Sequence, residues 1–148
     1  MLNRTFFYFC VFILLQGCSS HMPKLGVSNG KLAACPSSPN CVSSQAAVGD
    51  KHYIEPIVLK ASMASAHDKV MSVLESSRRT KVVVNEENYI HAEFTSAVFR
   101  FVDDVEFLFA KERDGEVMVD IRSASRVGHS DFGVNRKRME DIRGKLEE

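Results

Sequence analysis

Residues 97–123 read AVFRFVDDVEFLFAKERDGEVMVDIRS, and the spacing of the apolar residues in this stretch decides the fold. Phe99, Phe101, Val105, Phe107 and Phe109 all fall on odd positions with mostly polar residues between them, the period-two signature of a half-buried strand. After RDG the alternation resumes, with Val117, Val119 and Ile121 again on odd positions. Two such runs around a glycine-containing turn predict an antiparallel hairpin. For both apolar sets to share a face, Phe109 must lie opposite Val119 and Phe107 opposite Ile121. That register leaves Arg113, Asp114 and Gly115 as the loop, with Gly115 in its left-handed position. It also puts Glu106 opposite Arg122 on the solvent face and Asp103 opposite Ser125, with Arg126 in reach of Asp103 and Asp104. Asp103 interrupts the apolar face, so either a bulge at Asp103 and Asp104 breaks the strand or the carboxylate is buried with a partner.

Working outward, EPIVLK (55–60) reads as a short strand. The next segment carries Ala66, Val70, Val73, Leu74 and Ser77 on one face at helical spacing, with Ser62 placed to cap it, and predicts a helix from Met63 to Arg78. KVVV is a buried strand, NEEN a turn, and YIHAEFTS a strand that pairs back. His67 and His91 stand alone, with no titratable partner at a useful spacing, and read as surface or half-buried side chains. Beyond Ser125 the chain turns over through Gly128 and Gly133 into a last helix, capped by Asp131 or Asn135, with Asn135, Met139, Ile142 and Leu146 along one side. The expected fold class is α+β: a two-layer sandwich, an antiparallel sheet of about four or five strands with two helices packed on one face, in the order β-α-β-β-β-β-α.

A chain of 148 residues, 45% apolar and 26% charged, has the profile of one globular domain. Its 19 basic residues balance 19 acidic ones, which argues against phosphate-driven binding to nucleic acid.

The first residues form a separate unit. MLNR carries a positive charge, and Thr5 to Leu15 form an apolar run too short to span a hydrocarbon core, which needs about 20 apolar residues. Leu15, Gln16, Gly17 and Cys18 resemble the bacterial lipobox. The resemblance implies cleavage before Cys18, with that cysteine lipidated, and Ser19 after it implies delivery to the outer membrane facing the periplasm. Gln16 departs from the small or β-branched residues more usual there. The expected organisation is a signal peptide over 1–17, a lipidated N-terminus and linker over 18–34, and one globular domain over 35–148. Two or more acyl chains anchor stably, each buried methylene contributing about 0.8 kcal/mol.

In an exported chain Cys10 leaves with the signal and Cys18 carries lipid, leaving Cys35 and Cys41 in CPSSPNC. An oxidising compartment favours pairing them, and the Pro- and Ser-rich span between them can bring the ends within bridging range. A metal site would need further ligands, and the spacing is not the CxxC of a redox enzyme.

Arg122 to Arg138, RSASRVGHSDFGVNRKR, concentrates five basic residues and one acid. This stretch, DDVEF before it and LGVSNGKLAACPSSPNCVSSQA (25–46) together resemble the family known as domain of unknown function 1499, found in bacteria, often as small lipoproteins, and in plastid-bearing lineages. The resemblance implies that CPSSPNC and SRVGHSDFGVN belong to one shared design. It carries over no catalytic residue and no cofactor. Two readings of the design compete. In the structural one, Arg126 neutralises Asp103 or Asp104, Asp131 caps the helix, and the glycines allow a tight strand-to-helix turn. In the functional one, Arg122, Ser123, Ser125, Arg126, Asn135, Arg138 and the amides at the helix start receive an anionic group, such as a lipid headgroup, phosphate or carboxylate. An enzyme would have to use Asp103, Asp104, Arg126 and His129 in one open cleft, and no nucleophilic triad or metal set accompanies them. The expected function is therefore that of a non-catalytic binding or structural module of the cell envelope. Its expected partners are the membrane through the lipid anchor, an anionic ligand or an envelope protein.

Overall fold

The computed structural model describes residues 24–110 and 114–147. The signal segment, Cys18 and the loop residue Arg113 lie outside the described residues. The elements are β1 (Val27–Ser28), β2 (Lys31–Leu32), β3 (Cys41–Ser43), β4 (Ile57–Lys60), α1 (Met63–Ser76), β5 (Thr80–Glu86), β6 (Tyr89–Thr95), β7 (Val102–Phe109), β8 (Glu116–Ser125) and α2 (Val134–Glu147). The main sheet has six strands. β3, β8, β7, β6 and β5 lie side by side in that order, and β4 shares with β3 the outer edge of β8. The α+β architecture is the expected one, with more short strands before α1 than the single strand read from EPIVLK.

The hairpin register is the one the alternation required. Phe107 pairs with Ile121, Phe109 with Val119, Glu106 with Arg122 and Asp103 with Ser125. Asp114 and Gly115 take left-handed φ values of 55° and 77° at the turn. Ser62 caps α1 by accepting from the Ser65 amide at 3.3 Å, and Ala66, Val70 and Leu74 are buried beneath it. The helix stops at Ser76 rather than Arg78. Ser77 is extended, and Arg79, at φ 56°, turns the chain into β5. KVVV is not a buried strand: β5 lies at the sheet edge, so Val82 and Val84 are half-buried and Val83 is exposed. From α2, Asn135, Met139, Ile142 and Leu146 all point inward, as their spacing predicted. Met139, Ile142 and Leu146 meet Val105, Phe107, Phe109, Val117, Val119 and Ile121 in the main core. Burying one such side chain contributes about 1.5–3 kcal/mol.

Three expectations need correcting. β7 begins at Val102, so Phe99 and Phe101 are not core residues: both are exposed, and their rings stack 5.5 Å apart. The reason is the partner strand. β6 ends at Thr95, opposite Val102, and the Ser96 amide donates to the Phe101 carbonyl at 2.8 Å while the Phe101 amide donates to Ser96 Oγ at 2.9 Å, closing a loop instead of a longer ladder. Second, Glu106 and Arg122 are not on a solvent face. The segment read as linker folds back as the β1–β2 hairpin, packs Leu32 against Tyr89 and Leu108, and leaves Glu106 and Arg122 buried. Third, His91 is neither isolated nor at the surface: it is buried, with Nε2 2.8 Å from Asp104 Oδ1. The Cys35–Cys41 disulfide is formed, with Cα atoms 5.7 Å apart, and leads directly into β3.

Candidate functional site

The alternation of β7 sends Asp103 to the helical face and both Asp104 and Glu106 to the opposite face. The two adjacent carboxylates that looked like a pair in sequence therefore serve two separate networks, and no bulge is needed between them.

On the helical face Arg138, one turn into α2, reaches Asp103 Oδ2 in a short charge-assisted bond. Its other guanidinium nitrogen donates to Asn135 Oδ1 at 2.7 Å and Ser123 Oγ at 3.1 Å, and its Cζ lies 4.9 Å from the centre of the Phe94 ring. Asn135, fully buried, donates to the Asn40 carbonyl at 3.0 Å and Ser125 Oγ at 2.9 Å, and so ties α2 to both β8 and the disulfide loop. Asp131 caps the helix by accepting from the amides of Gly133 at 3.1 Å and Asn135 at 2.8 Å. Gly133, with φ 81°, makes the turn that lets this happen. The amides of Gly133, Val134 and Asn135 at the helix start are thus satisfied within the chain.

On the opposite face Arg126 grips Asp104 with two bonds, Nε to Oδ2 at 2.9 Å and Nη2 to Oδ1 at 2.7 Å, and also reaches Glu93. His91 Nε2 completes the shell of Asp104 at 2.8 Å. Arg126 therefore neutralises Asp104, and Asp103 belongs to Arg138. One register step along, Glu106 accepts from Tyr89 Oη at 2.7 Å, from the Gly26 amide at 2.8 Å and from Arg122 Nη1 at 2.8 Å. Arg122 Nε is buried without a hydrogen-bond partner among the described residues. At the far end Ser44 Oγ and Gln45 Nε2 each donate to Asp120 at 2.7 Å, which pins the segment after β3 to β8.

The electrostatics fix the protons in this network. Burial pushes the Asp104 carboxyl up, but the hydrogen bonds from Arg126 and His91 outweigh it, and the pKa lies below the ordinary aspartate value. The bond to Asp104, aided by Glu93, holds Arg126 charged above the usual guanidinium range. Burial, and then the bond to Glu106, raises the Tyr89 phenol well above its ordinary value. The carboxylates and guanidiniums of the two networks are paired with one another.

Of the singled-out residues, Asp103, Ser123, Ser125, Asp131, Asn135 and Arg138 come together around the α2 start, whereas Asp104, Arg122 and Arg126 lie on the opposite face of the sheet. Cys35 and Cys41 flank the same region through Asn40, and His129 is exposed in the turn away from both carboxylates' shells. Sequence reasoning missed Tyr89, His91 and Glu93. Their signal was available, because they occupy one face of β6 at period two.

It also missed an open groove of about 610 Å³ between the end of α1 and the side of α2. Arg78, Arg79, Lys137, Arg138 and Lys145 line it together with Asp103 and Asp141. Both acids are taken, Asp103 by Arg138 and Asp141 by Lys137 at 2.7 Å. Arg78 and Lys145 have no acidic partner among the described residues.

A family model described as "Protein of unknown function (DUF1499)" matches residues 31–146, from β2 almost to the end of α2. The chain belongs to the DUF1499 family. The family span contains the disulfide, both charge networks and the basic groove, whereas Gly26, which closes over Glu106, precedes it. Comparison with curated proteins finds no match.

Proposed function

We propose that this member of the DUF1499 family is a non-catalytic binding module of the cell envelope, holding an anionic group in the groove between α1 and α2. The group is a phosphate or carboxylate, carried by a small molecule or a lipid headgroup. The observation that carries this reading is the unbalanced charge of the groove. Five basic side chains converge on about 610 Å³, a volume within the range of small-molecule sites. The acids that line it are neutralised by Arg138 and Lys137, so the field of Arg78, Arg79 and Lys145 is left for an anion, and a concave wall focuses it. Arg138 stays fixed by Asp103, Asn135 and Ser123, which makes one wall of the groove rigid before a ligand arrives.

A binding role is favoured over the enzyme that would use Asp103, Asp104 and Arg126 because those groups spend their hydrogen bonds on each other and on His91, Glu93 and Arg138. The envelope location rests on the lipobox residues around Cys18. Calorimetric titration with inorganic phosphate and with glycerol phosphate tests the groove. Binding should weaken steeply with salt and be lost in the double variant Arg78→Ala with Lys145→Ala, whose melting temperature should stay that of the parent. Binding that survives both substitutions, or no binding at low salt, would sink the proposal.

A further inference from the structure

We infer that the loops 96–101 and 126–134 form a tip that inserts into the surface of an anionic phospholipid bilayer. The observation is a set of large apolar side chains held out in solvent at one end of the sheet. Phe132 is 95% exposed, Phe99 74% and Phe101 52%, with Val98 and Val127 exposed beside them. The two loops leave the sheet side by side, because the Arg126 amide donates to the Val102 carbonyl at 3.1 Å where β8 ends and β7 begins. A group of large apolar side chains exposed at one end of a folded domain marks an interaction surface.

Two features select a bilayer as the occupant. The rings stand on protruding loop ends, a convex shape that a fluid interface accepts. Their neighbours are basic: Arg100 lies between the two stacked rings in sequence, and the groove carrying Arg78, Arg79 and Lys137 opens beside Ser96 and Val134. Aromatic side chains flanked by cations are the composition of an interfacial anchor, the rings entering the headgroup region while the cations meet lipid phosphates. The backbone points the same way. Phe132 has φ 54° and Arg100 φ 58°, a left-handed conformation that a bulky side chain adopts only at a cost. An exposed Phe in that conformation gains nothing from the fold, so its ring serves something outside it.

This inference stands apart from the groove, because insertion needs the rings and not a bound small anion. The chain contains no tryptophan, so Phe132→Trp in the full chain supplies a single reporter at the tip. A control, Met118→Trp, places it on an exposed residue near the opposite, 110–116 end of the β7–β8 hairpin. With vesicles of phosphatidylglycerol, the Phe132→Trp emission should shift to the blue and be quenched by brominated acyl chains, while the Met118→Trp emission stays unchanged. Adding Phe99→Ser and Phe101→Ser should reverse the quenching. The inference is overturned if the tip reporter is indifferent to the vesicles, if both reporters are quenched alike, or if the blue shift follows protein concentration without lipid, which would assign the tip to a second copy of the chain. Phosphate binding measured on the same triple variant separates the two proposals, since it should persist when insertion is lost.

Discussion

Replacing Arg126 by Ala removes the two bonds that hold Asp104, and the cost can be worked from the geometry. The Asp104 side chain is 1% exposed, while that of Arg126 is 32% exposed. Breaking a buried pair by deleting one partner costs about 3–5 kcal/mol, because the other charge is left buried. Here the opening at Arg126 admits water and His91 keeps its bond at 2.8 Å, which brings the expected loss down to about 2–3 kcal/mol. At roughly 3–6 °C per kcal/mol for a domain of this size, the melting temperature should fall by roughly 6–18 °C. The acid limb of stability supplies an independent reading. In the parent, a depressed Asp104 pKa contributes stability that is complete above the ordinary aspartate value of about 3.9 and is lost as pH falls through the lower folded value. Without Arg126 most of that depression is lost, so the destabilisation by Arg126→Ala should be greatest near neutral pH and shrink as pH falls through the folded value. Denaturant titrations of Arg126→Ala, Asp104→Asn and the double variant, repeated from pH 3 to pH 7, would measure both effects. The double variant should cost less than the sum of the two by about 1 kcal/mol or more. Strict additivity, or a loss within about 0.5 kcal/mol for Arg126→Ala with an unchanged acid limb, would refute the assignment of Asp104 as its buried partner.

Glu106→Gln should be costlier, about 3–5 kcal/mol by chemical denaturation, because Arg122 is then left charged and buried with no carboxylate, and a neutral result would mean the β1–β2 hairpin opens to let water in. Tyr89 gives an alkaline counterpart: its phenol pKa is raised on folding, so the stability it contributes is complete below the ordinary value of about 10 and declines as pH rises above it, and Tyr89→Phe should remove that decline from a pH–stability curve. Replacing both Cys35 and Cys41 by Ala should cost on the order of 2 kcal/mol for so short a loop, read as a shift in the urea midpoint at constant slope. Cys18→Ser should abolish acyl labelling and membrane fractionation, and labelling that persists would remove the lipoprotein reading.

The central hairpin was legible before any coordinates because period-two alternation leaves one register in which both apolar sets share a face, and the helices followed from their 3.6-residue spacing and the Ser62 cap. The alternation misled only where it ran past its partner: Phe99 and Phe101 continue the pattern of β7, but β6 ends at Thr95 and offers them nothing to pair with. The candidate site was legible in membership and not in pairing. Asp103, Asp104, Arg126 and Arg138 were all singled out, yet a local view brought Arg126 to both acids, because the claim of Arg138 on Asp103 depends on where α2 lands.

By itself, then, the amino-acid order determined the strand register, the faces of the helices and the cysteine pair, all set by spacing along neighbouring residues. Tertiary structure alone decided that Glu106 and Arg122 are buried, since the Gly26 amide that helps close over them comes from 80 residues away. It likewise decided that Arg78 and Lys145 face one groove and that three phenylalanines stand in solvent. Those outcomes depend on how separate elements pack and on where the covering layer ends, and a periodic pattern records which face a residue takes without recording what covers that face.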